Sequence, residues 1–176
     1  TLLILLAFVV RRVSDFDPGQ QAIRALSTIV TYAMLANVFF VAMELFTALY
    51  SDIPEHVSHF TFLFMGLEGE ATLAPWMWTS VVLAVLALVL LLNPSTRNNE
   101  TSLIAACVAV FASLWIDKGL GMVIAGFVPS PLGKVVHYSP TAPELAISLA
   151  IWAGGLLIVT GLYKIALEVR GQVRHN

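Results

Sequence analysis

Charge is what this sequence has least of. Asp, Glu, Lys and Arg make up 11% of its 176 residues, while 59% are hydrophobic. Soluble domains carry about 25% charged residues. So few charges cannot cover a folded surface in water, and the mean hydropathy of +0.87 agrees. The expected solvent is a lipid bilayer, which excludes a soluble enzyme and a disordered tail. A net charge of -2 offers no basic field for phosphates, which excludes a nucleic-acid binder. Cysteine is almost absent. Cys107 alone cannot build a disulfide framework, a four-cysteine iron–sulfur site or a structural zinc site within this chain. Histidine is absent from every apolar segment, so no axial pair can hold a haem between membrane helices. Strict apolar–polar alternation, the mark of a barrel strand, is absent too.

What is present is a series of long uncharged runs. Ala25–Met43, Ala71–Thr96, Thr101–Ile116 and Leu145–Tyr163 are each uncharged and apolar around most of a helical circumference. A helix of about 20 residues crosses roughly 30 Å. The expected architecture is therefore all-α, a single polytopic transmembrane bundle over residues 1–176 with helices near 20–50, 71–93, 101–127 and 143–169. Thr1 to Val10 is uncharged but too short to span, and it lacks the basic start and cleavage site of a signal peptide. It reads as a partial first helix, near 1–10, of a longer protein of which this chain is the C-terminal part. Turn and cap residues punctuate the runs: Ser14 to Gly19, Asn93-Pro94-Ser95, Asn98 to Ser102, and the Pro129, Pro131, Pro140 and Pro143 stretch.

Arg11, Arg12, Arg24, Arg97, Lys164, Arg170 and Arg174 fall on one side of this topology. Lys118 and Lys134 fall on the other. The positive-inside bias predicts a multi-pass protein of the prokaryotic cytoplasmic membrane with its C-terminus in the cytoplasm. Two long loops, about Ser51–Glu70 and Gly119–Ala142, then face the other compartment. The first carries Asp52, Glu55, His56, His59, Glu68 and Glu70 with no Lys or Arg; the second carries Lys134, His137 and Tyr138. Tyr50, Phe60, Trp76, Trp78 and Trp115 lie near the same level, as an interfacial aromatic belt or a partner contact requires.

Three positions invite chemistry. His56 and His59 are three apart and, with Glu55, have the spacing of a metal site; the plainer reading, and the favoured one, is a solvated interfacial loop. Glu44 shares a helical face with Asn37 and Val41, either as a polar track from mid-membrane or as a charge already at the outer interface. Asp117-Lys118 follows sixteen uncharged residues and precedes Gly119 and Gly121. Adjacent residues on an α-helix point about 100° apart, so the two need not pair with each other, and each could pair with a neighbouring helix instead, Lys118 with Glu44 for example. Such a group transfers protons or lines a polar cavity; the plainer reading is a charged helix end. Gly154, Gly155 and Gly161 predict close helix contact, and Lys164 and Glu168 anchor a helix end.

Three stretches carry a family resemblance: Glu44 to Tyr50 with Glu55-His56, Leu73 to Trp78, and Trp115 to Gly119 continuing to Tyr138-Ser139-Pro140-Thr141-Ala142-Pro143-Glu144. They resemble the NrfD-type family of quinone-interacting membrane subunits, also called the polysulfide-reductase membrane-subunit family. Its sulfite-reductase-associated (DsrP-like) and hydrogenase-2-type (HybB-like) branches look nearest. The resemblance implies two helical bundles, of which this chain matches the C-terminal one. It implies no haem or iron–sulfur cluster in this chain, and a quinone, menaquinone by preference, as cofactor. It also implies a ferredoxin-like iron–sulfur partner docked on the extracytoplasmic face within a multi-subunit respiratory or sulfur-metabolism complex, not catalysis by this chain alone. In the family the best-described quinone pocket lies largely in the other bundle. Carried onto this sequence, Glu44, Asp117, Lys118 and Asn37 become proton-transfer or polar-cavity positions. His137 and Tyr138 become quinone contacts, and Glu55, His56 and His59 the partner-docking loop. The rival expectation is a secondary transporter or proton-conducting module, which glycine-interrupted helices with charges also suit.

Overall fold

The computed structural model describes residues 1–13, 19–51, 53–66, 71–125 and 140–175. Among them there are helices and no strands: α1 (Leu2–Val13), α2 (Gln20–Ser51), α3 (Pro54–Phe64), α4 (Ala74–Leu92), α5 (Pro94–Arg97), α6 (Glu100–Leu114), a π-helical segment (Trp115–Gly121), α7 (Met122–Ala125) and α8 (Ala142–His175). The all-α class is as expected. Four stretches are long and apolar enough to cross a membrane: Gln20–Ser51, Ala74–Leu92, Glu100–Ile124 and Ala142–Ala166. The chain is a multi-pass membrane protein. It divides into two compact units, Thr1–Val136 and His137–Asn176.

The first unit is organised on α4 and α6. On α4 the inward positions Met77, Ser80, Ala84, Ala87 and Leu91 repeat at intervals of three and four. Leu103, Ala106, Val110 and Ser113 repeat likewise on α6. That repeat gives a straight seam between two nearly antiparallel helices. Ser80, Ala84, Ala87, Ala106 and Ser113 in its middle are small, so the backbones approach closely there. This matters because lipid gives no hydrophobic drive to associate, and packing and hydrogen bonds must hold the helices together. Ser80 Oγ donates to the Ser113 carbonyl at 2.9 Å, and Ser113 Oγ donates to the Ser80 carbonyl at 2.9 Å. Both serines are buried.

The turn between these helices is capped as its asparagines predict. Asn93 Oδ1 accepts from the Ser95 amide, and Asn99 Oδ1 accepts from the Thr101 amide, each at 3.0 Å. These bonds satisfy amides that have no partner within the helix. Beside this turn α1 ends, and Arg11 forms an ion pair with Glu100 at the start of α6. α2 packs along one stripe, Ile23, Ser27, Thr31, Met34 and Ala48. The hydroxyls of Ser27 and Thr31 donate to the carbonyls of Arg24 and Ser27, so they need no partner across the interface.

The structure corrects the Ser51–Glu70 loop, because residues 54–64 form a helix. Pro54 sits in its first turn, where a missing N–H costs nothing. Gly66, at φ +85°, ends it, and the amides of Met65 and Gly66 both return to the Thr61 carbonyl. α3 buries Phe62 and Leu63 against Leu73, Met77 and Ile116. In the second unit, α8 runs further than the expected 143–169, and among its described side chains none is buried. Its start is a capping box: the Thr141 amide donates to Glu144 Oε2 at 2.7 Å.

The serine pair is testable. Ser80→Ala or Ser113→Ala is expected to destabilise by about 1 kcal/mol, with a coupling in the double mutant of about 0.6 kcal/mol. Unfolding of the purified chain in detergent would measure both, and strictly additive effects would refute a shared interaction.

Candidate functional site

The site begins where α6 stops being an α-helix. From Trp115 to Gly121 the backbone is π-helical, and the Met122 amide reaches back to the Asp117 carbonyl. A π turn spends an extra residue per turn, so neighbouring side chains project closer together than on an α-helix. Asp117 and Lys118 use this. Lys118 Nζ lies 3.1 Å from Asp117 Oδ2. Of the pairings the sequence leaves open, the structure shows the two with each other. Glu44 has no ion pair among the described residues. The Lys118 side chain is 49% exposed and that of Asp117 24%, while Ile116 and Gly121 beside them are buried.

Gly121 holds the segment against α4. A Cβ built there would meet Met77 Sδ at 3.1 Å and Cε at 3.4 Å, and Met77 is only 3% exposed. The segment and α4 therefore approach closely at this glycine. At Gly119 a Cβ would only touch the Trp115 ring, at 3.8 Å. Gly154, Gly155 and Gly161 belong to the second unit, and within it, among the described residues, nothing lies within 4 Å of a Cβ built at any of them.

Depth follows from helical rise. From Glu100 to Asp117 at about 1.5 Å per residue is about 26 Å, and from Arg24 to Glu44 about 30 Å. The hydrocarbon core is about 30 Å thick. Both charges therefore stand near the boundary opposite the arginine end, and Asn37 stands about 10 Å short of Glu44. Asn37 and Glu44 continue the buried stripe of α2, but Asn37 is half-buried and Glu44 exposed, while Ala48 one turn further is buried.

Aromatic side chains gather at the same end. Trp78 Nε1 donates to the Phe64 carbonyl at 3.1 Å, and the two rings meet edge to face. Phe46 and Tyr50 stack, and His59 meets Phe60 edge-on. The Trp78–Phe64 hydrogen bond and ring contact fasten the end of α3 to α4. His56 is exposed and His59 half-buried, on one helix as their spacing predicts. The Glu55 side chain, His137 and Tyr138 lie outside the described residues. Among the described residues no group of three or more His, Cys, Asp or Glu converges as a metal site would.

Comparison of the chain with family models, with curated proteins and with solved structures finds no match.

α3 and the π segment are what sequence reasoning missed. For α3 the signals were there, in Pro54 as a start, apolar Val57, Phe60 and Phe64 at helical spacing, and Gly66 as a stop. The π segment has no such signal beyond its glycines.

The Gly121 contact gives a graded prediction. Gly121→Ala is expected to be nearly neutral, because a methionine end adapts to one methyl. Gly121→Leu is expected to cost about 1–3 kcal/mol by overpacking. Thermal unfolding in detergent would measure both, and equal effects would sink the proposed fit against Met77.

Proposed function

We propose that this chain is the membrane-embedded part of a quinone-linked oxidoreductase complex, exchanging electrons between the quinone pool and an extracytoplasmic iron–sulfur partner. The supporting observation is the Asp117–Lys118 pair in a π turn at the end of a membrane span. π turns inside α-helices are frequent at functional sites, and ionisable residues in spanning segments are costly enough to be functional by default. The family resemblance supplies the redox class.

The side chains suit the chemistry. A quinone supplies a ring whose oxygens gain protons when it is reduced. The Lys118 ammonium is a cationic donor exposed on the helix surface. Asp117 is an acceptor held against it, able to take up a proton and return it. At the same end, the helix carrying His56 and His59, with exposed Trp76 and Trp115, offers a polar and aromatic face for a partner subunit. The arginines of the first unit gather at the other end, so the positive-inside bias directs this docking face away from the cytoplasm. The quinone is menaquinone by preference, and the membrane is the prokaryotic cytoplasmic one.

A transporter remains the rival reading, on the strength of the same interrupted helix. In the assembled complex Asp117→Asn is expected to lower quinol-dependent turnover by about 100-fold, the scale of a lost proton-transfer group. Assembly should persist, since an exposed pair contributes under about 1 kcal/mol. Unchanged turnover would remove Asp117 from the proton path, and solute uptake by the chain alone in vesicles would favour the transporter.

A further inference from the structure

The opposite end of the first unit carries a feature that the proposed function does not use. A small half-open cleft, with an enclosed volume of about 30 Å³, lies between the end of α1, the start of α2 and the α5 turn. Its polar wall includes Arg24, Arg97, Gln20 and Asn98. Its floor is apolar, with Phe8 and the buried Ile23 and Leu103. Glu100 also lines it, but Arg11 already neutralises that carboxylate. Among the described residues neither Arg24 nor Arg97 has a carboxylate partner.

We propose that this cleft binds the phosphodiester headgroup of an anionic phospholipid. Three observations carry this. The cleft lies at the level where α2 and α6 begin and α4 ends, which is headgroup depth for any bilayer these helices cross. Two unpaired guanidinium groups present forked donors that match phosphate oxygens. The apolar floor suits a glycerol backbone and the first methylenes of an acyl chain, which a free anion does not need. Basic pockets between transmembrane helices are known to hold such headgroups. The starts of α2 and α6 add the favourable ends of two helix dipoles. The bound lipid would bridge α1, α2 and the α5 turn.

The test uses the full chain in nanodiscs of phosphatidylcholine with a graded fraction of phosphatidylglycerol. Lipids retained on the protein are counted by native mass spectrometry. The wild type is expected to enrich phosphatidylglycerol. Arg24→Gln with Arg97→Gln should lose about five-fold of the enrichment per arginine. Arg24→Lys with Arg97→Lys should keep most of it, which guards against a misfolded glutamine variant. Lys164→Gln, a cation removed from α8, should keep it all. Equal enrichment in the wild type and the glutamine variant would overturn the proposal. So would inorganic phosphate displacing the retained phosphatidylglycerol at millimolar concentration, which would make this a free-phosphate site.

Discussion

The α4–α6 seam is the constraint on which the first unit depends. In lipid two apolar helices gain nothing by hiding from solvent, so what joins them must be close fit and polar bonds. Ala84 and Ala87 on α4 meet Ala106 and Ala109 on α6, and the reciprocal Ser80–Ser113 bonds fix the register. Everything informative then hangs from the two ends of this seam. At one end the asparagine-capped turn sets Arg97 and Glu100 beside α1 and α2. At the other, Met77 receives Gly121 and the π segment. A shift in seam register would move both ends together.

The bilayer also changes what a polar residue means. Thr28, Thr47, Thr79 and Thr160 each return a hydroxyl bond to the carbonyl four residues back. Among the described residues no buried side-chain nitrogen or oxygen lacks a partner. Hydroxyl groups in these spans are therefore self-sufficient and mark no site by themselves. A charge has no such remedy in its own backbone: Asp117 and Lys118 find theirs in each other, and Glu44 has no ion pair among the described residues.

The spans were legible because each is a long uncharged run without strand alternation, and in lipid only a helix satisfies the backbone within a single segment. The caps at Asn93 and Asn99 were legible because a short polar side chain before a run has one economical use. α3 was hidden because acidic and histidine residues made its segment look like a loop, although Pro54 and Gly66 bracket a helix. The Asp117–Lys118 pairing was hidden for a different reason. An α-helical wheel separates the two, and nothing in a periodicity of 3.6 announces one turn with another period. One resemblance also has a plainer physical side. The Thr141-Ala142-Pro143-Glu144 part of its most telling run is a capping box with proline in the first turn, which any helix start can use. It carries less family information than its length suggests.

The π segment explains how two opposite charges persist at the edge of the hydrocarbon. On a regular helix Asp117 and Lys118 would diverge, and each would face lipid or need a partner on another helix. Drawn together at 3.1 Å, they present a near-neutral dipole and leave the neighbouring Ile116 free to pack into the core. The cost of taking charge toward lipid is reduced at its source, within two adjacent residues of one chain.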